Sequence, residues 1–571
     1  MKILKGIKFL PVLVLSAALA QSSPAQTLQV LTAGSSAQFG PFAVAAWELA
    51  TAGKVSAFHY TVKSGACPGT TCYAYINDSR TVGSNTIPPE PGNLWVVWST
   101  NGIWAYLSVD STVGVRSFSA VPRATLVLSK LPAGGTTNYP YWPDGGLPDT
   151  TLTSTVLNAL NGHTLMAANT DIRPEDALFA TNRALNSLGY GKVADPRTGH
   201  SGQFLIGNPI ESHFSSAIAN PVSFAIAGGA DPFTGSVGPV EVTIPIGAAP
   251  IVFVASTAAG STVAGASNIT TANAQQLFSG LGGCAAALVT GATGIIDPVL
   301  REPLSGTMNT TEYTVFTPGD PSTGHSQETG ITTPTPGTNQ NPVALPCGTG
   351  FRYRGVGTGD VVNNVIAVPN TLGYAFFSYE ALRNGKTDRY LELNSIDGIS
   401  GTYPAGGALP GCPVVSGAYS CPIANGKSFP TLRNGTYPAW SIYRIITDST
   451  NQTNVQKLVT QAQLSVNANV PDFVPFVPVC GTAAGTTNDP GLDVYREHFL
   501  PSTIATIPDT ISITPNDGSL GATVSCKVVK GTYPALTLGG GTEAGGDVGG
   551  LVQGPFTTSP KVPGPTEGQP H

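Results

Sequence analysis

The segment Arg301-Glu302-Pro303-Leu304-Ser305-Gly306-Thr307 joins one guanidinium to a Ser-Gly-Thr placed where a helix should begin. Arginine offers a planar fork of donors that fits an oxyanion and keeps its charge at any relevant pH. Ser305 suits an N-cap, and Gly306 and Thr307 then present first-turn N–H groups. Those donors, with the positive end of the helix dipole, can hold an anion, although a plain capped helix reads the same way. The device recurs. Leu31-Thr-Ala-Gly34-Ser35-Ser36-Ala37 follows a short apolar strand and precedes the apolar run Phe42 to Leu49. Asn169-Thr170-Asp171-Ile172-Arg173-Pro174-Glu175-Asp176 places a carboxylate at another strand-to-helix turn, with Pro174 suited to the first helical position. Three such turns, one beside an arginine, suggest a shared anion.

These residues, in this order, resemble the phosphate-binding protein of the bacterial ABC-type phosphate importer, within the type II periplasmic binding proteins. Gly34-Ser35-Ser36 is similar to the turn that opens the mature chain of that family. Thr170-Asp171 resembles its Ser-Asp turn, and Arg301 with Ser305, Gly306 and Thr307 resembles its Arg-x-x-x-Ser-Gly-Thr turn without a change of spacing. Lys63-Ser64-Gly65 is the candidate for its Ser-Gly-Gly turn. Asn370-Thr-Leu-Gly373-Tyr374 and Thr436-Tyr437-Pro438 resemble the family's later strand and its return to the first lobe. The resemblance covers residues 28–470. It implies Ser36, Ala37, Ser64, Asp171, Arg301, Ser305, Gly306 and Thr307 as phosphate ligands, with Asp171 accepting the ligand's own proton.

The chain departs from the family between Ser64 and Asp171, where it runs on for about a hundred residues. Most of 66–160 therefore reads as an insertion in the first lobe, carrying strand-like runs such as Asn93–Trp98 and Ile103–Val109. Trp98-Ser99-Thr100 is a second candidate for the Ser-Asp turn with its carboxylate lost; Thr170-Asp171 is preferred because it keeps the carboxylate and leads into a helical pattern.

Residues 1–25 read as a secretory signal peptide: Lys2, Lys5 and Lys8, an apolar run from Phe9 to Ala20, then small-residue sites. No cysteine stands near the cleavage site, so the expectation is a periplasmic or secreted protein without a lipid anchor or a membrane span. Without the three leader lysines the balance moves from 27 cations against 33 anions to 24 against 33. That acidity and the absence of any basic cluster argue against a nucleic-acid partner. Charged residues make up only 11% of the chain, so Ser, Thr, Asn and Gly must cover much of the surface.

All eight cysteines, Cys67, Cys72, Cys284, Cys347, Cys412, Cys421, Cys480 and Cys526, lie beyond the leader. An even set in an exported chain reads as disulfides, paired in sequence order as the simplest of 105 connectivities. No paired Cys-x-x-Cys and no clustered histidine suggests zinc. Ser305 has no Gly-x-Ser-x-Gly elbow around it and no histidine near it in sequence, which argues against a hydrolase. Asp489-Pro-Gly-Leu-Asp493 reads as a turn rather than a calcium loop.

Apolar strand runs alternate with helical stretches, which favours α/β lobes. Thr243–Ala255 reads as a buried strand, and the resemblance makes it the crossing to the second lobe. The expectation is an α/β, two-lobed type II periplasmic binding protein fold with a hinge and interlobe cleft. It comprises a binding domain over 26–470, with a second lobe over about 245–375. A C-terminal extension over 471–537 and a disordered Gly/Pro-rich tail over 538–571 follow it. The function implied is capture of inorganic phosphate by a monomer without a cofactor, for uptake by an ABC transporter permease. A surface, structural or adhesion protein that keeps the fold, and a binder of another tetrahedral oxyanion, are the alternatives.

Overall fold

The computed structural model describes residues 26–51, 55–61, 74–78, 90–129, 150–172, 241–279, 285–301, 305–311, 351–355, 357–378, 388–399, 428–468 and 472–476. Shorter pieces lie between these, and isolated strands lie beyond residue 490. The chain is mixed α/β.

The first half begins with strand β1 (Leu28–Gly34) and helix α1 (Phe39–Ala50). Nearly every residue of α1 is buried, including Phe39, Phe42, Ala43, Ala46 and Trp47. A helix that is apolar all round must be covered on both sides. Here it packs on the sheet with one side and on a late helix with the other. Strands β2 (Ser56–Tyr60), β3 (Asn93–Ser99) and β4 (Gly102–Ser108), helix α2 (Ser111–Phe118) and strand β5 (Ala167–Thr170) complete this half. Strand β1 lies between β4 and β5 and is parallel to both, while β3 is antiparallel to its two neighbours, β2 and β4.

This arrangement corrects the reading of 66–160 as an insertion. Its strands β3 and β4 belong to the central sheet, and Trp95, Val96, Val97, Tyr106 and Leu107 are fully buried. Strands apolar on both faces are covered on both faces, which a peripheral insertion would not need. Among the segment's described residues, a three-stranded sheet of Ala74–Asn77, Glu90–Pro91 and Thr125–Leu128, the pair Thr81–Val82 with Asn85–Thr86, and helix Ser154–Leu160 stand outside the central sheet. The alternative turn at Trp98–Thr100 is the tip of the β3–β4 hairpin, where Gly102 stands against Gln29 near the start of β1.

The 16-residue strand β6 (Glu241–Ser256) joins the halves. Its first part, Glu241–Pro250, pairs with β11 (Trp440–Asp448), and a bulge between Pro245 and Gly247 absorbs the missing proline N–H. Its last part, Ile251–Ala255, pairs with β9 (Thr371–Phe376), and Phe253–Ser256 pairs with β10 (Asp388–Leu393). The second half also contains α3 (Thr271–Ser279), β7 (Asp297–Arg301), α4 (Gly306–Thr311), β8 (Phe351–Gly355) and α5 (Gly357–Ala367). Strand β7 is parallel to both β8 and β9. The chain returns through β11 to pair with β5, then forms α6 (Gln452–Ala468), the cover of α1, and β12 (Val474–Pro475). The sheet order is β8-β7-β9-β6-β11-β5-β1-β4-β3-β2.

Two boundaries move. The second half reaches Leu393 rather than 375, because β10 pairs with β6, and the sheet includes Val474–Pro475, which pair with Gly247 and Ala248. Among the described residues near the end of the chain, Ala535–Leu538 and Gly541–Ala544 form an antiparallel pair, and Gly550–Val552 pairs with Phe499–Pro501. The described residues contain no helix long and apolar enough to cross a membrane.

Candidate functional site

Two sets of parallel strands, running in opposite directions through the sheet, deliver their C-terminal ends to one place: β1 at Gly34, β4 at Ser108 and β5 at Thr170 from the first half, and β7 at Arg301 and β8 at Gly355 from the second. The crevice beyond the carboxyl ends of such strands is where open α/β sheets bind ligands. Polar residues follow these strand ends. At the first, Gly34 has φ +141°, and a Cβ there would stand 1.9 Å from the Asn169 carbonyl oxygen, so only glycine fits. Ser35 then accepts from the Ala37 N–H at 3.2 Å. At the turn after β7, Ser305 accepts from the N–H groups of Thr307 and Met308 at 3.1 and 3.3 Å. Asp110 at the start of α2 makes no such cap. Its carboxylate turns instead to Arg301.

Two centres of charge result. Arg301 is almost wholly buried and reaches Asp110 Oδ1 at 3.2 Å through Nη2. Its Nη1 donates to Thr307 Oγ1 at 2.9 Å and Thr358 Oγ1 at 3.4 Å. Its backbone N–H donates to the Tyr374 hydroxyl at 3.3 Å. The second centre is Asp171, also buried. Its Oδ1 accepts a short bond from the Ser35 hydroxyl and another from Gln38 Nε2 at 3.3 Å. Its N–H donates to Ser111 Oγ at 3.1 Å, and its carbonyl accepts from Ser441 Oγ at 2.9 Å. Burial pushes the Asp171 carboxyl above its ordinary range; the bonds from Ser35 and Gln38 and the charge of Arg301 work against that rise.

The centres are tied together. Gly306 from the second half lies against Asp171 and Ser111 of the first. Ser36 accepts from the Thr358 N–H at 3.1 Å, and its hydroxyl lies 3.3 Å from that of Thr358. Beneath them, the Tyr106 hydroxyl donates to the Ser35 carbonyl at 2.6 Å. Tyr443 is fully buried on the same strand face as Ser441, and its hydroxyl has no hydrogen-bond partner among the described residues. Burial first, then the nearby Asp171 carboxylate, raises the pKa of both phenols well above the ordinary tyrosine value, so both remain donors.

Of the residues singled out from sequence, the structure gathers Ser36, Ala37, Asp171, Arg301, Ser305, Gly306 and Thr307 around this junction. Ser64 lies outside the described residues. So do seven of the eight cysteines and the side chain of the eighth, Cys526. Sequence reasoning missed Asp110, Ser111, Gln38 and Thr358. Asp110-Ser111-x-x-Gly114 after an apolar strand and Gly357-Thr358 after β8 carry the same turn signature as the others. A Cβ at Gly114 would stand 2.7 Å from the Ala33 carbonyl oxygen, so this glycine lets α2 lie close against β1. Reading 66–160 as peripheral hides Asp110 and Ser111. The described residues hold no cluster of metal-ligating side chains.

No family model matches the chain, and no curated protein matches it. Among solved structures it is similar to an ABC-type phosphate transport receptor from Vibrio cholerae (14% identity, TM-score 0.22, 39% of this chain), and it spans 66% of that receptor's length. It is also similar to a phosphate-binding protein from Stenotrophomonas maltophilia (15% identity, TM-score 0.28, 71% of this chain and 83% of that one). A human phosphate-binding apolipoprotein shares 13% identity at TM-score 0.31, over 78% of this chain and 90% of that one.

Proposed function

We propose that this chain is an exported solute-binding protein that holds inorganic phosphate at the junction of its two half-sheets and presents it to an ABC-type importer. The observation that carries the reading is the convergence of one guanidinium, a buried acceptor carboxylate and several hydroxyl-capped helix starts from both halves. Arg301 supplies charge. Ser36, Ser111, Thr307 and Thr358 supply hydroxyls, and the turns at 36–37 and 305–307 supply N–H groups that now rest on serine oxygens. Asp171 requires a ligand that brings a proton, because a buried carboxylate facing an unprotonated anion is repulsive. Strands β6 and β11 cross between the halves and are the natural hinge for opening and closing around a ligand. Nothing in this set is a nucleophile paired with a base, so the role is binding rather than catalysis.

Titration calorimetry and thermal shift with phosphate test it. Stabilisation should follow RT ln(1 + [L]/Kd), about 2.7 kcal/mol at a hundredfold excess over Kd. No shift at millimolar phosphate overturns the assignment.

One observation favours a second reading, a surface or structural protein in which the junction is a permanent latch. The cross-half contacts Arg301–Asp110 and Ser36–Thr358 satisfy each other without a ligand. In that case phosphate leaves the melting curve unmoved while Arg301→Ala lowers it.

A further inference from the structure

Resting on the phosphate reading, we propose that Tyr443 is a further ligand-binding residue, its hydroxyl being the donor that the crossing strand β11 holds for the oxyanion. Tyr443 is fully buried, and its hydroxyl has no hydrogen-bond partner among the described residues. Register fixes its place. Thr170 of β5 stands opposite Arg444 of β11, so Asp171, the next residue, comes level with Tyr443. Directly opposed residues of an antiparallel pair share a face, and their sequence neighbours take the other. Tyr443 therefore lies on the face of Asp171, while the buried Arg444 lies on the face of Thr170. Two residues back from Tyr443, the Ser441 hydroxyl donates to the Asp171 carbonyl at 2.9 Å and holds β11 against this turn.

A buried phenol without an acceptor has given up water and received nothing in exchange, which is rare in a folded chain. The other two phenols of the junction are engaged. Tyr106 donates to the Ser35 carbonyl at 2.6 Å, and Tyr374 accepts from the Arg301 N–H at 3.3 Å. The Tyr443 ring is wedged edge-on between Phe376 and Phe473, with centroids 5.1 and 6.1 Å away, so its hydroxyl keeps its direction. Burial, then the carboxylates of Asp171 and Asp472, hold it protonated, yet neither carboxylate accepts from it. A neutral O–H of fixed direction, close to Arg301 and Asp171, suits an oxyanion oxygen. It stabilises negative charge without adding a second cation that Asp171 would capture. Because β11 pairs with β5 on one side and β6 on the other, a ligand that accepts from Tyr443 is bound by the crossing strand as well as by the two halves.

Melting curves and calorimetric titration with inorganic phosphate, on the full mature chain and on Tyr443→Phe, test this. The substitution removes the hydroxyl and keeps the ring. Without phosphate the variant should melt no lower than the wild type, because no hydrogen bond is lost. It should nevertheless bind phosphate about ten- to a hundredfold more weakly, the range for one hydrogen bond to a charged group. A residue that only packs the core leaves the affinity where it was. Equal affinity in variant and wild type therefore overturns the proposal and leaves the phosphate reading intact. So does a variant that melts lower without phosphate or fails to fold, since the hydroxyl then serves the empty protein. A wild type that binds no phosphate overturns both.

Discussion

Gly306 lies so close to Asp171 that a Cβ at this glycine would stand 2.9 Å from the Asp171 Oδ2 and 2.5 Å from the Ser111 hydroxyl. Neither neighbour can easily retreat. Asp171 is held by Ser35 and Gln38, and Ser111 is held by the Asp171 N–H. The glycine is therefore a spacing element between the two halves, and its role is close approach rather than an unusual backbone angle. Gly306→Ala should overpack the junction, at a cost of about 1–3 kcal/mol. Urea unfolding checks the stability change, and phosphate titration should show weaker binding. A variant as stable as the wild type, with equal affinity, would mean the halves do not close this tightly in solution.

Arg301 invites a double-mutant cycle. Removing one partner of a buried pair leaves an uncompensated charge, a loss of about 3–5 kcal/mol, while removing both is far less harmful. Arg301→Ala alone should abolish phosphate binding and destabilise the protein, because Asp110 is left buried opposite it. Arg301→Ala with Asp110→Ala should recover most of the stability and none of the binding. Equal stability of the single and double variants would show that Asp110 escapes to water when the arginine is gone.

How much of this was readable in the chain follows from where the signals lie. The turns at Gly34–Ala37, Thr170-Asp171 and Arg301–Thr307 were legible because cap chemistry is local: a serine, a glycine and an adjacent charge within a few residues. The buried strand over Thr243–Ala255 was legible as an unbroken apolar run, and it is the observed crossing strand. What was not legible is pairing. That β4 lies beside β1, and so brings Asp110 and Ser111 to the junction, is decided by contacts between residues about 75 apart. A long segment between two recognisable turns was mistaken for decoration because its length, not its burial, was weighed. Trp95, Val96 and Val97 in succession already implied a strand covered on both faces. The Arg301–Asp110 pair, 191 residues apart, has no local signal at all.

His59 carries a pH prediction. It is buried between Phe39 and Tyr139, stacked on the latter with ring centroids 4.3 Å apart. Burial lowers its pKa from 6.5 to about 3. The group is depressed on folding, so its contribution is fully present above the unfolded value and is lost as pH falls from about 6.5 toward 3. At the low end the loss is on the order of 4 kcal/mol. His59→Phe, which keeps a ring against Tyr139, should flatten the melting temperature over that interval and leave it nearly unchanged at pH 8. If wild type and variant lose stability in parallel on acidification, His59 is not the acid-labile group.

Asp171 unites stability and selectivity. Its carboxyl is raised above the ordinary value by burial, so the folded protein prefers it protonated, and ionising it costs stability. That cost is absent below the ordinary carboxylate range and grows as pH rises toward the raised value. Asp171→Asn is neutral at every pH and can still accept from Ser35 through its amide oxygen. Without ligand, the variant should therefore melt higher than the wild type at neutral pH, with the gap closing in acid. Function should move the other way. A neutral amide no longer repels an unprotonated anion, so sulfate, which brings no proton, should begin to bind while phosphate is retained more weakly. Melting curves at two pH values and competition titrations with both anions decide the matter together. A variant that is less stable at neutral pH shows that the carboxylate's bonds outweigh its burial. A variant that still excludes sulfate shows that selectivity resides elsewhere in the junction, with Asp110 the next residue to change.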